Sequence, residues 1–328
     1  MNYETPLKWE PFVSIVMPAF NEEKYIELSL IAVMQMDYPK HKLEIIVVDN
    51  GSTDKTVEIA KRYADKVIVH PNVKVGGVRN EGVRQSNGEI IAFIDSDCLP
   101  AKGWLRDSLD YMKENSCDAV GGIYLLREHP SWVESAWLIN PKPKDGVTNR
   151  LVGGSILISK DSFISCGMFD EALNAGEDYA LARALKEKGF VLHEAKSCAL
   201  VHLGYPTNLL SFMARQYWHS SSYLKSKKKG GADFLFLIVA AYAVGILLLP
   251  LSALVIPSML LPAISIIFLF PGILSVKRIV ASGYKSHRLD SYLKIYLLDF
   301  CYLLGRVGGL LKSLMTELNL IPDKKSHY

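Results

Sequence analysis

The sequence predicts an α/β domain with a mainly parallel mixed sheet, followed by apolar helices. From residue 12 to about 205, short runs rich in β-branched residues alternate with longer amphipathic stretches, and several of these runs end in Asp or Asn. Residues 234–276 contain no Asp, Glu, Lys or Arg, which indicates helices in an apolar environment. The chain has 328 residues, enough for both parts.

Composition excludes several classes of protein. The 49% hydrophobic content allows a sizeable core, and a net charge of +3 without a long basic arm argues against nucleic-acid binding. Five scattered cysteines without CxxC spacing argue against a disulfide framework or a structural zinc site and favour reduced thiols. The N-terminus has acidic residues and prolines before its apolar run and lacks the features of a secretory signal, so we expect the first domain to stay in the cytosol.

Four strands and three helices are predicted in the first part of the chain. Open α/β sheets bind ligands at the carboxyl ends of their strands, so we expect Asp49, Asp95 and Asp97 at a binding edge. Neither of the first two strands is followed by GxGxxG, which argues against a dinucleotide-binding dehydrogenase. The predicted strands cover residues 13–20, 43–50, 66–70 and 89–97, and the predicted helices cover 22–36, 53–64 and 75–86.

Acidic side chains in two motifs are candidates for chemistry. Asp95 and Asp97 stand one residue apart in FIDSDC, and Glu177 and Asp178 open a predicted helix that ends at Gly189. Structural roles are also possible, because an Asp-x-Asp segment often forms a turn and acids in a first helical turn are stabilised by the helix dipole. Asp49 alone could equally be a capping residue.

Four blocks of the sequence, in this order, resemble those of the family 2 glycosyltransferases with the GT-A fold. The resemblance covers roughly residues 12–205 and implies a GT-A domain over residues 1–230 that uses a nucleotide-diphosphate sugar. The blocks are VSIVMPAFNEEKYI, IIVVDNGSTDKT, RNEGVRQSNGEIIAFIDSDC and FDEALNAGEDYALARALKEKGF.

The resemblance also implies where the nucleotide-sugar and a metal ion bind. Asp95 and Asp97 would bind Mn²⁺ or Mg²⁺ at the diphosphate, and the strand-end His202 would complete the metal shell. Carboxylate oxygens suit these hard cations, and imidazole is acceptable to Mn²⁺. We interpret Cys98, next to Asp97, as incidental. The implied nucleotide-sugar-binding residues are Pro18, Ala19, Glu22, Asp49, Arg79, Asn80 and Asp95.

Catalysis is expected at the second acidic pair. The resemblance implies that Asp178 is the general base that deprotonates an acceptor hydroxyl and that Glu177 positions the acceptor or supports the base. A base acting opposite the leaving diphosphate predicts inversion in a single displacement. The segment ARQYWHSS shares ingredients with the QxxRW segment of processive relatives in a different order, so it does not indicate polymer extrusion. Its candidate acceptor residues are Arg215, Gln216 and Trp218.

The apolar stretch predicts a transmembrane hairpin of two helices over residues 231–276, with a basic loop and a third segment over 277–328. Basic flanks at 225–229 and 277–288 favour a cytoplasmic position for both ends and for the catalytic domain. The segment 291–315 either spans the membrane or lies in its interface. Asp299 and Arg306 stand seven residues apart on it and could pair inside a bundle.

These patterns together predict a multi-pass protein of the cell membrane. The predicted activity is inverting, metal-dependent transfer of a sugar to a membrane-associated acceptor, either a lipid-linked saccharide or a glycolipid. A polyprenyl-phosphate sugar synthase is the alternative within the same class of enzyme. A membrane scaffold that keeps the fold without the chemistry is the alternative from another class.

Overall fold

The computed structural model describes residues 9–139, 143–173, 175–221, 234–254 and 257–321. The chain divides into two compact units. The first contains the residues up to Arg127 together with Pro143–Gly204, and the second contains residues 128–142 together with the residues from Tyr205 onward. The division after Gly204 comes earlier than the boundary predicted at residue 230.

The first unit contains a large mixed sheet and a small one. The large sheet has the strand order β3-β2-β1-β4-β9-β6-β10-β8, and the small one has the order β5-β11-β7. The strands are β1 (Val13–Ala19), β2 (Leu43–Asp49), β3 (Lys66–Val69), β4 (Ile90–Ile94), β5 (Cys98–Leu99), β6 (Ala119–Gly121), β7 (Tyr124–Leu125), β8 (Gly146–Val147), β9 (Ser155–Ser159), β10 (Leu192–Glu194) and β11 (Leu200–His202).

Among the described residues, six α-helices belong to the first unit, and α5, α8, α9, α10 and α11 belong to the second. The helices are α1 (Ile26–Met34), α2 (Thr56–Ala60), α3 (Val75–Arg84), α4 (Trp104–Glu114), α5 (Trp132–Trp137), α6 (Lys160–Ser165), α7 (Glu177–Glu187), α8 (Leu209–Ser220), α9 (Phe234–Leu254), α10 (Leu260–Ser282) and α11 (Leu289–Glu317).

Strand directions confirm the predicted mixed sheet. Strand β1 pairs in parallel with β2 and β4, and β2 pairs in parallel with β3. Strand β9 runs antiparallel between β4 and β6. The predicted strand 89–97 ends earlier, at Ile94, because the chain turns there and the Cys98 amide donates to the Asp95 carbonyl, 3.0 Å away. The acids of FIDSDC therefore lie in the turn that follows the strand.

The large sheet is buried on both faces. All residues of β1 are buried, and alternate side chains enter different cores: Ile15 and Met17 pack on the face covered by α1 and α4, whereas Val16 packs on the other face with Phe93. Burial on both faces explains the near-continuous apolar runs that predicted these strands. Polar side chains can therefore reach solvent mainly at the ends of these strands.

In the second unit, α11 packs closely against α8. A Cβ atom added at Gly305 would lie 2.8 Å from the Met213 carbonyl oxygen, and one added at Gly309 would lie 2.2 Å from that of Tyr217. The two glycines are four residues apart and face the same neighbour, so they let the two backbones approach.

An ion pair in the second unit differs from the prediction. Asp299 accepts hydrogen bonds from Arg278 and from the Ser275 hydroxyl, and Arg306 instead lies over the Tyr302 ring, 5.0 Å from its centroid. Arg278 also donates to the carbonyls of α5 residues at 2.7 Å. The predicted pairing of Asp299 with Arg306 is therefore wrong, because α10 brings a closer cation that also satisfies the free carbonyls at the end of α5.

One helix among the described residues is long and apolar enough to cross a membrane. It covers Pro257–Ser282 with a mean hydropathy of 2.3, and only 17% of its most apolar window is buried. The apolar stretch Phe236–Pro250 is shorter. The predicted hairpin requires two spans. The described residues contain one helix that is long and apolar enough to be a span.

Candidate active site

Asp49, at the carboxyl end of β2, shapes the first loop of the site. Its side chain is buried and accepts hydrogen bonds from the Gly51 and Ser52 amides, both at 2.8 Å, and from the Ser52 hydroxyl. This is the local side-chain-to-backbone bonding by which Asp stabilises a turn. The contact with a nucleotide that the resemblance implies stays a prediction.

The loops after β1 and β2 interlock. The Glu22 amide donates to the Thr56 hydroxyl at 2.7 Å, and the Asn21 amide donates to the Ser52 hydroxyl at 2.8 Å. Asn21 has a φ of 54°, a left-handed conformation that Asn tolerates better than most residues, and its side-chain oxygen accepts from the Thr53 amide. Pro18 and Ala19 are buried directly before this loop. Sequence reasoning missed Asn21, although an Asn at the end of a strand is a turn signal.

A buried arginine joins the two acidic motifs. Arg79, on α3, is 3% exposed; its Nη2 lies 2.7 Å from Asp95 Oδ1 and its Nη1 lies 2.7 Å from Glu177 Oε1. The Tyr124 hydroxyl donates to the other Asp95 oxygen at 3.0 Å. Burial by itself would raise the pKa of Asp95, but the Arg79 guanidinium outweighs burial and lowers that pKa below its usual value. Asp95 is therefore a carboxylate at neutral pH, with both oxygens engaged by the protein.

Asp178 lies beside this network in a different environment. It is half-buried, and it accepts hydrogen bonds from the Gly153 amide at 3.1 Å and from the Tyr179 amide at 2.7 Å. A Cβ atom at the neighbouring Gly154 would lie 2.2 Å from Asp95 Oδ2. Gly153 and Gly154 thus allow the chain to pass between Asp95 and Asp178. A GG dipeptide in a sequence predicts such a close approach only weakly.

The second acid of the DxD motif lies in a cluster of possible metal ligands. Donor atoms of Asp97, Cys98 and His202 all lie within 4.8 Å of one another. Strands β5 and β11 pair Cys98 with His202, and His202 Nε2 lies 3.4 Å from Asp97 Oδ2. A Cβ atom at Gly204 would lie 1.9 Å from that oxygen, so glycine leaves room beside it. A buried set of oxygen, nitrogen and sulfur donors suits a divalent cation.

This cluster differs from the predicted ligand set in two respects. Among the described residues it contains Asp97 and His202 as predicted, and it contains Cys98 in place of Asp95. The Cys98 sulfur lies 3.7 Å from Asp97 Oδ1. Burial, together with the Asp97 and Asp95 carboxylates, raises the pKa of the Cys98 thiol well above its usual value. The geometry does not support the interpretation of Cys98 as incidental.

The remaining predicted residues make contacts of their own within each unit. Asn80 is buried and holds the backbone of Phe169 with two hydrogen bonds at 2.9 and 3.0 Å, so it positions the segment that leads to α7. The candidate acceptor residues all lie on α8 in the second unit. Arg215 is near the Tyr205 ring, Gln216 is buried beside Gly305, and Trp218 packs edge-on against His219.

The mixed sheet, with acids after the ends of its strands, is a fold of the GT-A type. Residues 14–163 match the family described as Glycosyl transferase family 2. The chain is 32% identical over 203 residues to the glycosyltransferase AglE of Haloferax volcanii, covering 57% of this chain and 66% of the relative.

A second relative and a solved structure are also similar to this chain. The relative is the dolichyl N-acetyl-alpha-D-glucosaminyl phosphate 3-beta-D-2,3-diacetamido-2,3-dideoxy-beta-D-glucuronosyltransferase of Methanococcus voltae, 29% identical over 210 residues, covering 56% of this chain and 64% of the relative. The structure is the mannosyltransferase PcManGT of Pyrobaculum calidifontis in complex with GDP-Man and Mn²⁺, with a TM-score of 0.59 and 19% identity over 94% of this chain and 88% of that one. The structure supports the fold alone. The chain spans slightly less than two thirds of the length of both relatives.

Proposed function

We propose that the chain is an inverting, metal-dependent glycosyltransferase that moves a sugar from a nucleotide-diphosphate sugar to a lipid-linked acceptor at the membrane. The observation that carries the proposal is the different environment of the two neighbouring acids, Glu177 and Asp178. Arg79 neutralises Glu177 in the interior, whereas Asp178 is half-buried and bonded only by backbone amides among the described residues. A general base must reach a substrate, and Asp178 is the acid of the pair that remains accessible.

In this proposal the donor diphosphate lies against the DxD turn. Asp97 and His202 would hold Mn²⁺ or Mg²⁺, and the cation would neutralise the charge that develops on the leaving diphosphate. Arg79 and Tyr124 orient Asp95, which keeps a negative charge next to the cation. Asp49 and the interlocked loops would enclose the nucleoside.

The acceptor side of the reaction follows from Asp178. Its carboxylate accepts the proton of the acceptor hydroxyl while that oxygen attacks the anomeric carbon opposite the diphosphate, which inverts the configuration. Glu177 does not take the proton in this scheme, because its carboxylate is committed to Arg79. It acts as a positioning residue for the base.

The type of acceptor is inferred from the relatives and from the apolar helix. The relative from Methanococcus voltae acts, by its name, on a dolichyl-linked sugar phosphate. The helix Pro257–Ser282 would bring the chain to the bilayer where such acceptors reside, and Phe236–Pro250 would supply the second half of a hairpin. Lys277 and the basic residues after it favour a cytoplasmic position for the catalytic domain. The other basic flank, 225–229, lies outside the described residues.

The test is transfer of labelled sugar from a panel of UDP-, GDP- and dTDP-sugars to lipid-linked saccharide or to bare polyprenyl phosphate in membranes that contain the full chain. We expect transfer to the saccharide that EDTA abolishes and Mn²⁺ or Mg²⁺ restores. Transfer only to the bare phosphate would instead identify a polyprenyl-phosphate sugar synthase. No transfer from any donor, with the nucleotide still bound, would favour a scaffold.

The Asp178→Asn variant tests the base. We expect a loss of about 10²–10⁴-fold in kcat with unchanged donor binding, because general-base catalysis contributes that much. Asp161→Asn is the matched control, since Asp161 is also an acid in the first turn of a helix, α6, is exposed, and lies at the opposite end of the sheet. Full activity of the Asp178→Asn variant would contradict the assignment.

A further inference from the structure

We propose that Asp97, Cys98 and His202 form a mixed oxygen, sulfur and nitrogen site that binds thiophilic divalent ions such as Zn²⁺, and that a bound thiophilic ion inhibits the transferase. The inhibitory effect rests on the proposed function, because it requires the ion to take the place of Mn²⁺ or Mg²⁺. The binding itself does not depend on any activity.

The first argument is geometric. Cys98 and His202 are directly opposite each other in the antiparallel pair of β5 and β11, so their side chains lie on the same face of the small sheet. His202 Nε2 is 3.4 Å from one Asp97 oxygen, and Cys98 Sγ is 3.7 Å from the other. Ligand bonds of about 2.0–2.3 Å separate the donor atoms of one tetrahedral ion by roughly 3.3–3.8 Å. The three side chains therefore need only small movements to hold one ion.

The second argument is the rigidity of the backbone around the donors. The Ser29 hydroxyl donates to the Cys98 carbonyl at 2.7 Å, and the Leu203 amide donates to the Asp97 carbonyl at 2.8 Å. Cys98 is completely buried, and the His202 ring lies 4.5 Å from that of Tyr124. A preformed set of ligands reduces the entropic cost of binding an ion.

The third argument concerns the choice of metal. A thiolate ligand selects Zn²⁺ and other soft or borderline ions over Mn²⁺ and Mg²⁺, which take oxygen ligands. Ion binding would release the thiol proton of Cys98 to solvent as the sulfur–metal bond forms, and no oxidation or reduction occurs. The Cys98 sulfur therefore lets the site bind Zn²⁺ and similar ions more tightly than a set of oxygen donors would.

The other cysteines of the first unit provide a contrast. Cys198 Sγ lies 3.1 Å from the Ser108 hydroxyl and Cys117 Sγ lies 3.7 Å from the Met112 carbonyl oxygen, so both thiols bond to neutral groups and not to a carboxylate. In the part of the chain that the structure describes, no second group of three His, Cys, Asp or Glu donors lies as close together. The proposed selectivity is thus specific to Cys98.

The binding test is titration of the full chain in detergent with Cd²⁺, followed by ultraviolet sulfur-to-cadmium charge-transfer absorption. We expect one equivalent to bind with this absorption, Cys98→Ser to abolish it, and Cys166→Ser, which changes the half-buried thiol of the first unit, to retain it. Persistence of the absorption in a folded Cys98→Ser protein would overturn the proposal. Co²⁺ added to the unmodified protein provides a test that needs no variant, and a spectrum without sulfur charge transfer would overturn it as well.

Inhibition is tested separately, with Mn²⁺-dependent sugar transfer at increasing Zn²⁺. The Cys98→Ser variant lacks one ligand, so the Zn²⁺ concentration that inhibits it should be at least about ten-fold higher than for the wild type. Loss of a group that only supports a metal ligand already lowers metal affinity by about that factor. Equal inhibition of the two proteins would contradict the inhibitory role. If the wild type binds cadmium but transfers no sugar, the proposed metal site is supported and only the proposed function is overturned.

Discussion

Arg79 is the residue on which the arrangement of the acids depends. It is buried and bonds one carboxylate with each terminal nitrogen, so two acidic motifs that are far apart in sequence share one cation. Burying three charges is costly, and the cost is offset only while every partner is present. Removal of this one cation would therefore leave two carboxylates inside the protein without compensation.

Replacing Arg79 with Met tests this interpretation. We expect a loss of about 3–5 kcal/mol in the free energy of unfolding, because Asp95 and Glu177 would remain buried without their cation. Urea unfolding followed by circular dichroism measures the loss. Arg84→Met is the matched control from the same helix, since the Arg84 side chain is 44% exposed and its ion pairs contribute at most about 1 kcal/mol. Similar stability of the two variants would contradict the assigned role.

At the scale of elements, Glu44 connects several strands at the end of the sheet that is opposite the candidate site. Its carboxylate, on β2, accepts hydrogen bonds from the Ser14 hydroxyl at 2.6 Å and the Asn87 amide at 2.5 Å, and pairs with Lys66 at 3.1 Å. Burial would raise the pKa of Glu44, but these partners together lower it below its usual value. One side chain thereby connects three strands and the segment that follows α3.

The lowered pKa predicts how stability changes with pH. A carboxyl group whose pKa is lower in the folded than in the unfolded protein stabilises the fold above the unfolded value of about 4.3, and this contribution disappears as the pH falls through the folded value. We therefore expect Glu44→Gln to be less stable than wild type at neutral pH and the difference to shrink below pH ~4. Unfolding curves across this range measure it, with the exposed Glu58→Gln as control. A difference that is independent of pH would contradict the prediction.

The contact between α8 and α11 gives a second prediction for elements. Gly309→Ala would place a methyl group 2.2 Å from the Tyr217 carbonyl oxygen, which the two helices can accommodate only by separating. We expect a loss of about 1–3 kcal/mol, typical of overpacking, seen as a lower melting temperature in detergent. Gly272→Ala is the control, because its added methyl group would make an ordinary contact at 3.8 Å with Tyr296. Equal melting temperatures would show that the glycine is not needed for this contact.

At the scale of the whole molecule, the exposed apolar surface of α10 predicts membrane retention. Leu269 and Ile273 are 58% and 46% exposed and are one helical turn apart near the middle of Pro257–Ser282. We expect the full chain to resist alkaline extraction from membranes. Replacing both residues with Lys costs about 2.5–3.5 kcal/mol for each at the centre of a membrane helix, so this variant should be extracted. The double Ala variant is the control, and retention of the Lys variant would contradict a membrane position for this helix.

Prediction from sequence succeeded where local pattern and burial agree. Strands β1, β2 and β3 lie within one residue of their predicted ends, and for β1 and β2 this is because continuous apolar runs specify strands that are buried on both faces. The helix predicted over residues 53–64 shortens to Thr56–Ala60, where side-chain hydrogen bonds of the interlocked loops compete with helical ones. The pairing of Asp299 was mispredicted because a pattern along one helix contains no information about its neighbour.

The sequence by itself determined the α/β class, the similarity of the first domain to a glycosyltransferase family, and the acids that are candidates for the site. Those features depend on residue type and on short spacings, which are visible along the chain. Only the tertiary structure decided how the acids are used: it placed Arg79 between Asp95 and Glu177, left Asp178 accessible, and brought Cys98 opposite His202. The reason is physical, because the Arg79–Glu177 and Cys98–His202 contacts join residues about a hundred positions apart. Their energies depend on distance and burial in the folded chain, which no local pattern specifies.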